Sequence, residues 1–283
     1  QRDRGANYQL DGADNNQGIN NNVAAFVNVD AIEEFTIQTS TFSAEFGRNS
    51  GAVVNVATRS GTNEFHGTAF EFLRNRVFDA RNFFENAGGA PDSAFILNQF
   101  GGVFGGPIRA DKAFFFVSYE GSRSRVGNTI FTNVPTLDQR MAAITGRLDG
   151  RPIDVDPVAA RLLEFYPLPN ASSPFGNYLS NETIRGSNDN FLAKIDLNPT
   201  ASDTFSFRYL INDSDSFTPV QSTSGTASGA AQVPGYGLFS KVRAQNFAAS
   251  WTHVFGASVV NVVRLVAARA FDDRVRHELA LGR

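Results

Sequence analysis

The stretch NFLAKIDL, residues 190–197, decides the fold. In an extended chain successive side chains point to opposite faces. Phe191, Ala193, Ile195 and Leu197 therefore share one face, and Asn190, Lys194 and Asp196 share the other, with Leu192 as its apolar exception. A period of two with two such different faces is the mark of a strand between two environments. The pattern returns in TFSFRYLIN, residues 204–212, where Phe205, Phe207, Tyr209 and Ile211 oppose Ser206, Arg208, Leu210 and Asn212. It returns again in NFAASWTHV, residues 246–254, where Phe247, Ala249 and Trp251 oppose Asn246, Ala248, Ser250 and Thr252. Noisier versions occupy 66–75, 98–108, 113–121 and 259–271, giving about seven strands.

The connections carry as much information as the strands. Three are short and rich in turn residues: 109–112 (RADK), 198–203 (NPTASD) and 255–258 (FGAS). They alternate with long ones at about 76–96, 122–189 and 213–242. One end of the sheet thus carries tight turns and the other long loops, as in outer-membrane barrels, where short turns face the periplasm and long loops the exterior. A soluble β-sandwich also alternates apolar and polar positions, but gives no reason for every long loop to lie at one end. The expected fold is mainly β, part of an antiparallel transmembrane β-barrel, about seven of its strands, with lipid outside and water inside.

Composition narrows the function. Of 283 residues, 25 are Gly and 27 Phe, against one Trp and one Met, and 19% are charged, a bias toward β-structure with many turns. The formal charge of -3 has no basic run, so the footprint of a nucleic-acid binder is missing. With no Cys, disulfides and thiolate metal sites are excluded. The chain opens Gln1-Arg2-Asp3-Arg4, without Met or an apolar leader, and is expected to be an internal piece of a longer one.

Ahead of the barrel, residues 1–64 have a different character. Gln1 to about Asn28 reads as turns around one short strand, and 32–38 (IEEFTIQ) and 52–58 (AVVNVAT) read as strands. SGTNEFHG, residues 60–67, is a hinge, centred on Gly61, Thr62 and Asn63, that hands the chain to TAFEF. The expected division is 1–64 and 65–283.

The run VDAIEEFTIQTSTFSAEFGRNSGAVVNVATRSGTNEFHG, residues 29–67, resembles the end of the plug domain of TonB-dependent outer-membrane receptors. NQFGGVFGGPIRADKAFFFVSYEG, residues 98–121, resembles the first barrel hairpin of their Oar-like group, and DPVAARLLEFYPLPN, residues 156–170, is similar to a segment common there. The chain departs from the pattern at Gly51-Ala52, where two glycines are usual. The resemblance implies a receptor in the outer membrane of a Gram-negative-type bacterium that binds an extracellular ligand. Its plug is opened by the TonB complex through an upstream segment, with no covalent chemistry and no cofactor. An Oar-like surface protein serving adhesion, cell–cell contact or protein export is the alternative, and a soluble β-scaffold enzyme a remote third.

By the same resemblance, Glu45, Gly47 and Arg48 are expected at a contact between plug and wall, either as a fixed ion pair or as part of a moving switch. Gly101-Gly102 and Gly105-Gly106 are expected where another backbone approaches closely, the plug being the neighbour. In Phe114-Phe115-Phe116, Phe115 faces one side and its neighbours the other, and such a run beside a tight turn fits an interfacial aromatic girdle rather than a ligand-stacking platform. His66, His253 and His277 lack metal-site spacing. Asp156-Pro157 reads as the N-cap and first residue of a short helix ended by Pro167, rather than as chemistry.

Overall fold

In a computed structural model, the described residues are 6–17, 23–39, 51–80, 94–174, 176–219 and 237–276. They form two main sheets. The smaller is built from β1 (Asn7–Leu10), β2 (Ala13–Asp14), β3 (Ile32–Gln38) and β4 (Val53–Thr58), in the order β2-β1-β4-β3. Strands β1 and β4 run parallel and the other pairs antiparallel. The sequence suggests one short strand near the N-terminus; there are two, because Asp11 and Gly12 both adopt positive φ and turn the chain back on itself.

The larger sheet has seven antiparallel strands in sequence order: β5 (His66–Asn75), β6 (Phe95–Arg109), β7 (Ala113–Thr132), β10 (Tyr178–Leu197), β11 (Asp203–Thr218), β12 (Leu238–Val254) and β13 (Val260–Arg276). The three tight turns expected from the sequence join β6 to β7, β10 to β11 and β12 to β13. The strands run well into spans the sequence reads as loops. Residues 181–189 (NETIRGSND) are polar on both faces, so their alternation vanishes although the backbone ladder continues. Between β7 and β10 lie a two-residue ribbon, β8 (Arg147–Leu148) with β9 (Arg151–Pro152), and two helices, α1 (Leu137–Thr145) and α2 (Pro157–Leu162). Thr136 and Gln139 close a capping box on α1. Asp156 accepts from the Val158 N–H at 2.7 Å to cap α2, with Pro157 in the first turn as the sequence requires.

The two faces of the large sheet differ as the alternation dictates. Phe191, Ile195, Phe207, Phe247, Trp251 and Leu265 stand exposed on one, here the outer face. Near the tight turns this face ends in rings: Phe205 stacks on Trp251 at 6.0 Å, and Phe65, Phe104 and Phe115 cluster at 5.6–6.4 Å. Phe115 thus takes the expected girdle position. Its neighbour Phe116 points, as the alternation requires, to the inner face, where it is buried.

The small sheet covers the inner face. Leu10, Ala25 and Ala31 from the N-terminal part pack with Val103, Phe116, Leu192, Leu210 and Ala244 of the wall. Leu192 and Leu210 are the two large apolar residues that break the polar face of 190–197 and 204–212, and both are 0% exposed. They interrupt the pattern because apolar surface, not water, lies over them.

Candidate functional site

Three successive rows of the β10–β11 ladder build the contact between the two sheets: Asn190 opposite Asn212, Leu192 opposite Leu210, and Lys194 opposite Arg208. The register puts the last pair, two cations, directly across from each other, which is destabilising unless an anion intervenes. Asp11 supplies it. Its carboxylate pairs with the Arg208 guanidinium and lies 4.0 Å from Lys194 Nζ. The Arg208 and Lys194 side chains are only 2% and 9% exposed, so neither charge can turn to water. Arg208 Nη2 also donates to Asn246 Oδ1 at 2.8 Å, and Lys194 Nζ to the Thr58 carbonyl at 3.1 Å.

Asp11 is held for this role by its own sheet. The Thr58 N–H donates to its Oδ1 at 2.7 Å and the Thr58 hydroxyl to Oδ2 at 2.9 Å, while its own N–H donates to the Val56 carbonyl at 2.8 Å. One carboxylate therefore ties β1 to β4 and both to the wall. Two rows away the asparagines clamp a backbone: Phe26 N–H donates to Asn212 Oδ1 at 2.8 Å, and its carbonyl accepts from Asn190 Nδ2 at 2.6 Å and Asn212 Nδ2 at 3.0 Å. Asn190 Oδ1, Arg208 Nε and Asn246 Nδ2 are buried and make no hydrogen bond with the described residues themselves.

The hinge residues come together at the tight-turn end. Asn63 Nδ2 donates to Asp111 Oδ1 at 2.6 Å and Asn63 Oδ1 accepts from the Asp111 N–H at 2.8 Å, fastening the linker to the β6–β7 turn, where Asp111 has φ 61°. Thr62 Oγ1 donates to the Glu64 carbonyl at 2.9 Å. Gly61 runs against the wall so closely that a Cβ there would stand 2.7 Å from the Gly106 carbonyl oxygen and 3.0 Å from Phe115 N. Of the four wall glycines, Gly105 and Gly106 meet this linker, at Gly61 and Phe65. At Gly101 and Gly102 the closest atoms belong to the neighbouring strands β5 and β7, at Phe70, Thr68 and Tyr119, not to the small sheet.

Glu45, Gly47 and Arg48 lie outside the described residues, as does His277. The contact that is described uses residues the sequence reading placed on the water-facing side or in loops. One signal could have found it: aligning 190–197 with 204–212 as a hairpin sets Lys194 against Arg208, and that pair demands a carboxylate from elsewhere. His253 and His66 sit apart, beside Asp203 at 2.7 Å and Glu64 at 3.6 Å respectively.

A lipid-facing antiparallel sheet with tight turns at one end and a small sheet against its inner face is the architecture of an outer-membrane barrel wall. Residues 57–280 match the outer membrane beta barrel domain family, and the chain belongs to that family, which places it in the outer membrane of a Gram-negative bacterium. It is 31% identical over 171 residues to the TonB-dependent transporter Oar of Myxococcus xanthus, an alignment covering 54% of this chain and 15% of that protein. Among solved structures, the outer membrane transporter YddB from Escherichia coli superposes with a TM-score of 0.53 at 12% identity, over 95% of this chain and 31% of YddB. The chain therefore spans less than a third of either protein's length. The siderophore receptor PirA from Acinetobacter baumannii aligns over 95% of this chain and 40% of its own, with a TM-score of 0.39 and 13% identity.

Proposed function

We propose that residues 1–64 are the late plug and 65–283 the first seven wall strands of a TonB-dependent receptor, which imports an extracellular ligand through energy-coupled displacement of the plug. The observation that carries this reading is the Asp11 network, a buried charge contact between a small sheet and a membrane wall that depends on one carboxylate. A pull by the TonB complex on the chain N-terminal to β1 loads β1 and the adjoining Asp11 first. Withdrawing Asp11 leaves Lys194 and Arg208 unneutralised on the inner face, so the wall no longer favours the plug in that position. Gly61, Thr62 and Asn63 then act as the fixed pivot, and Glu45, Gly47 and Arg48 as a second contact between plug and wall. No covalent step and no cofactor is involved.

The test is a deletion of the complete gene, screened for growth across defined carbon and iron sources. Under this reading, loss on one source is restored by the intact gene but not by one lacking the TonB-interacting segment. Unchanged growth on every source, together with lost cell–cell adhesion, would replace uptake with a surface role.

A further inference from the structure

A second like-charged pair lies on the outer face. Arg125 of β7 is directly opposite Arg185 of β10, and both side chains are exposed. Their row continues to Ile96 on one side and to Phe217 and Phe239 on the other, so no carboxylate shares it. In the next row Asp215 is taken by Lys241 at 3.7 Å, and in the row beyond, Asp189 is taken by Arg123 at 2.8 Å and Asp213 by Arg243. Neither Arg125 nor Arg185 has an ion-pair partner among the described residues. Two guanidiniums held opposite each other repel, and although these two reach water, unlike Lys194 and Arg208, an anion between them relieves that repulsion. Here no carboxylate among the described residues supplies one.

The surroundings define what fits. Arg123, Arg125, Arg185 and Lys241 wall a cavity of about 660 Å³ on the outer face, together with the Asp215 carboxylate that Lys241 pairs, and Ile96, Phe217 and Phe239 are its apolar flanks. The ring pair Phe217–Phe239, 4.5 Å apart, borders the cations directly. Arg185 is twelve residues up β10 from Leu197, at the tight-turn end. At about 3.4 Å per residue along a strand tilted about 40°, that climb is about 30 Å, slightly more than the apolar band of an outer-membrane barrel. The cavity therefore opens sideways into the headgroup layer of the outer leaflet. An anion there has an apolar tail beneath it.

We propose that Arg125 and Arg185, with Arg123 and Lys241, form a binding site for the phosphate headgroup of an anionic outer-leaflet lipid, whose acyl chains lie against Phe217, Phe239 and Ile96. The site stands independently of any uptake role. The test uses the full-length protein, purified from outer membranes in detergent, with native mass spectrometry and phosphorus analysis of retained lipid. Arg125→Gln/Arg185→Gln is expected to lower retained anionic phospholipid, and its rebinding from vesicles doped with phosphatidylglycerol, about thirty-fold, while Arg125→Lys/Arg185→Lys keeps most of it. Arg109→Gln, at the opposite end of β6, is expected to change nothing. Heat-shifted gel mobility confirms that each variant is folded, and a misfolded glutamine variant is replaced by Arg185→Gln alone. Equal retention by folded wild-type and glutamine variants would overturn the proposal. So would displacement of the lipid by millimolar inorganic phosphate, which would define a site for an aqueous anion.

Discussion

Replacing Asp11 by Asn in the full-length protein isolates the charge at the centre of the contact. Asn tolerates the positive φ of 52° at this position and keeps an oxygen for the Thr58 N–H, so backbone and shape are preserved. What is lost is the negative charge between two cations. At 4.0 Å and an effective dielectric constant of ~20, the Lys194 interaction alone is about 4 kcal/mol, and Arg208 is nearer still. Desolvation already paid by all three groups reduces the net effect, and removing one partner of a buried pair costs about 3–5 kcal/mol. Opening of the small sheet is then expected to rise by two to three and a half orders of magnitude, since 1.4 kcal/mol is tenfold. Hydrogen exchange of the β1 and β4 amides, followed by mass spectrometry, reads that opening directly. Adding Lys194→Met and Arg208→Met to Asp11→Asn is expected to recover most of the protection. Less than a tenfold change for Asp11→Asn, or no recovery in the triple variant, would refute the account of Asp11 as a required counter-ion.

Asn212→Ala removes two of the three hydrogen bonds to the Phe26 backbone, whose N–H is only partly buried, so local protection around residues 24–28 should fall by about 1–2 kcal/mol in the same exchange experiment. Gly61→Ala forces a methyl group into the Gly106 and Phe115 backbone and is expected to lower thermal stability by about 1–3 kcal/mol, whereas Gly256→Ala, with nothing within 4 Å, should be neutral. Trp251, the chain's single tryptophan, should be quenched more by lipids brominated near the glycerol than by those brominated at mid-chain, and Trp251→Phe should remove that component.

The wall was legible because its alternation is imposed by two solvents: residues 190–197, 204–212 and 246–254 meet hydrocarbon on one side and a polar interior on the other. The same rule hid the upper halves of the strands. At 181–189 both faces are polar, the period disappears, and only the backbone ladder keeps the segment extended. Asp11 was hidden for a different reason. LDGAD reads as a turn, which it is, and nothing local says that its carboxylate reaches residues nearly two hundred positions away. Leu192 and Leu210 were visible as exceptions, but what they were exceptions to became clear only once a second sheet lay over them.

The opposition of Lys194 and Arg208 also bears on how the molecule is put together. Strands β10 and β11 zip into register through a five-residue turn, well before distant segments have to arrive. From that moment the hairpin carries a mutual repulsion that only a carboxylate from the far N-terminal sheet relieves. An empty wall is thus electrostatically unfinished, and the arrival of the insert is rewarded at one point on its inner surface. The pair makes the end point of assembly a property of the sequence: whichever strands form first, the completed arrangement is the one in which Asp11 has come home.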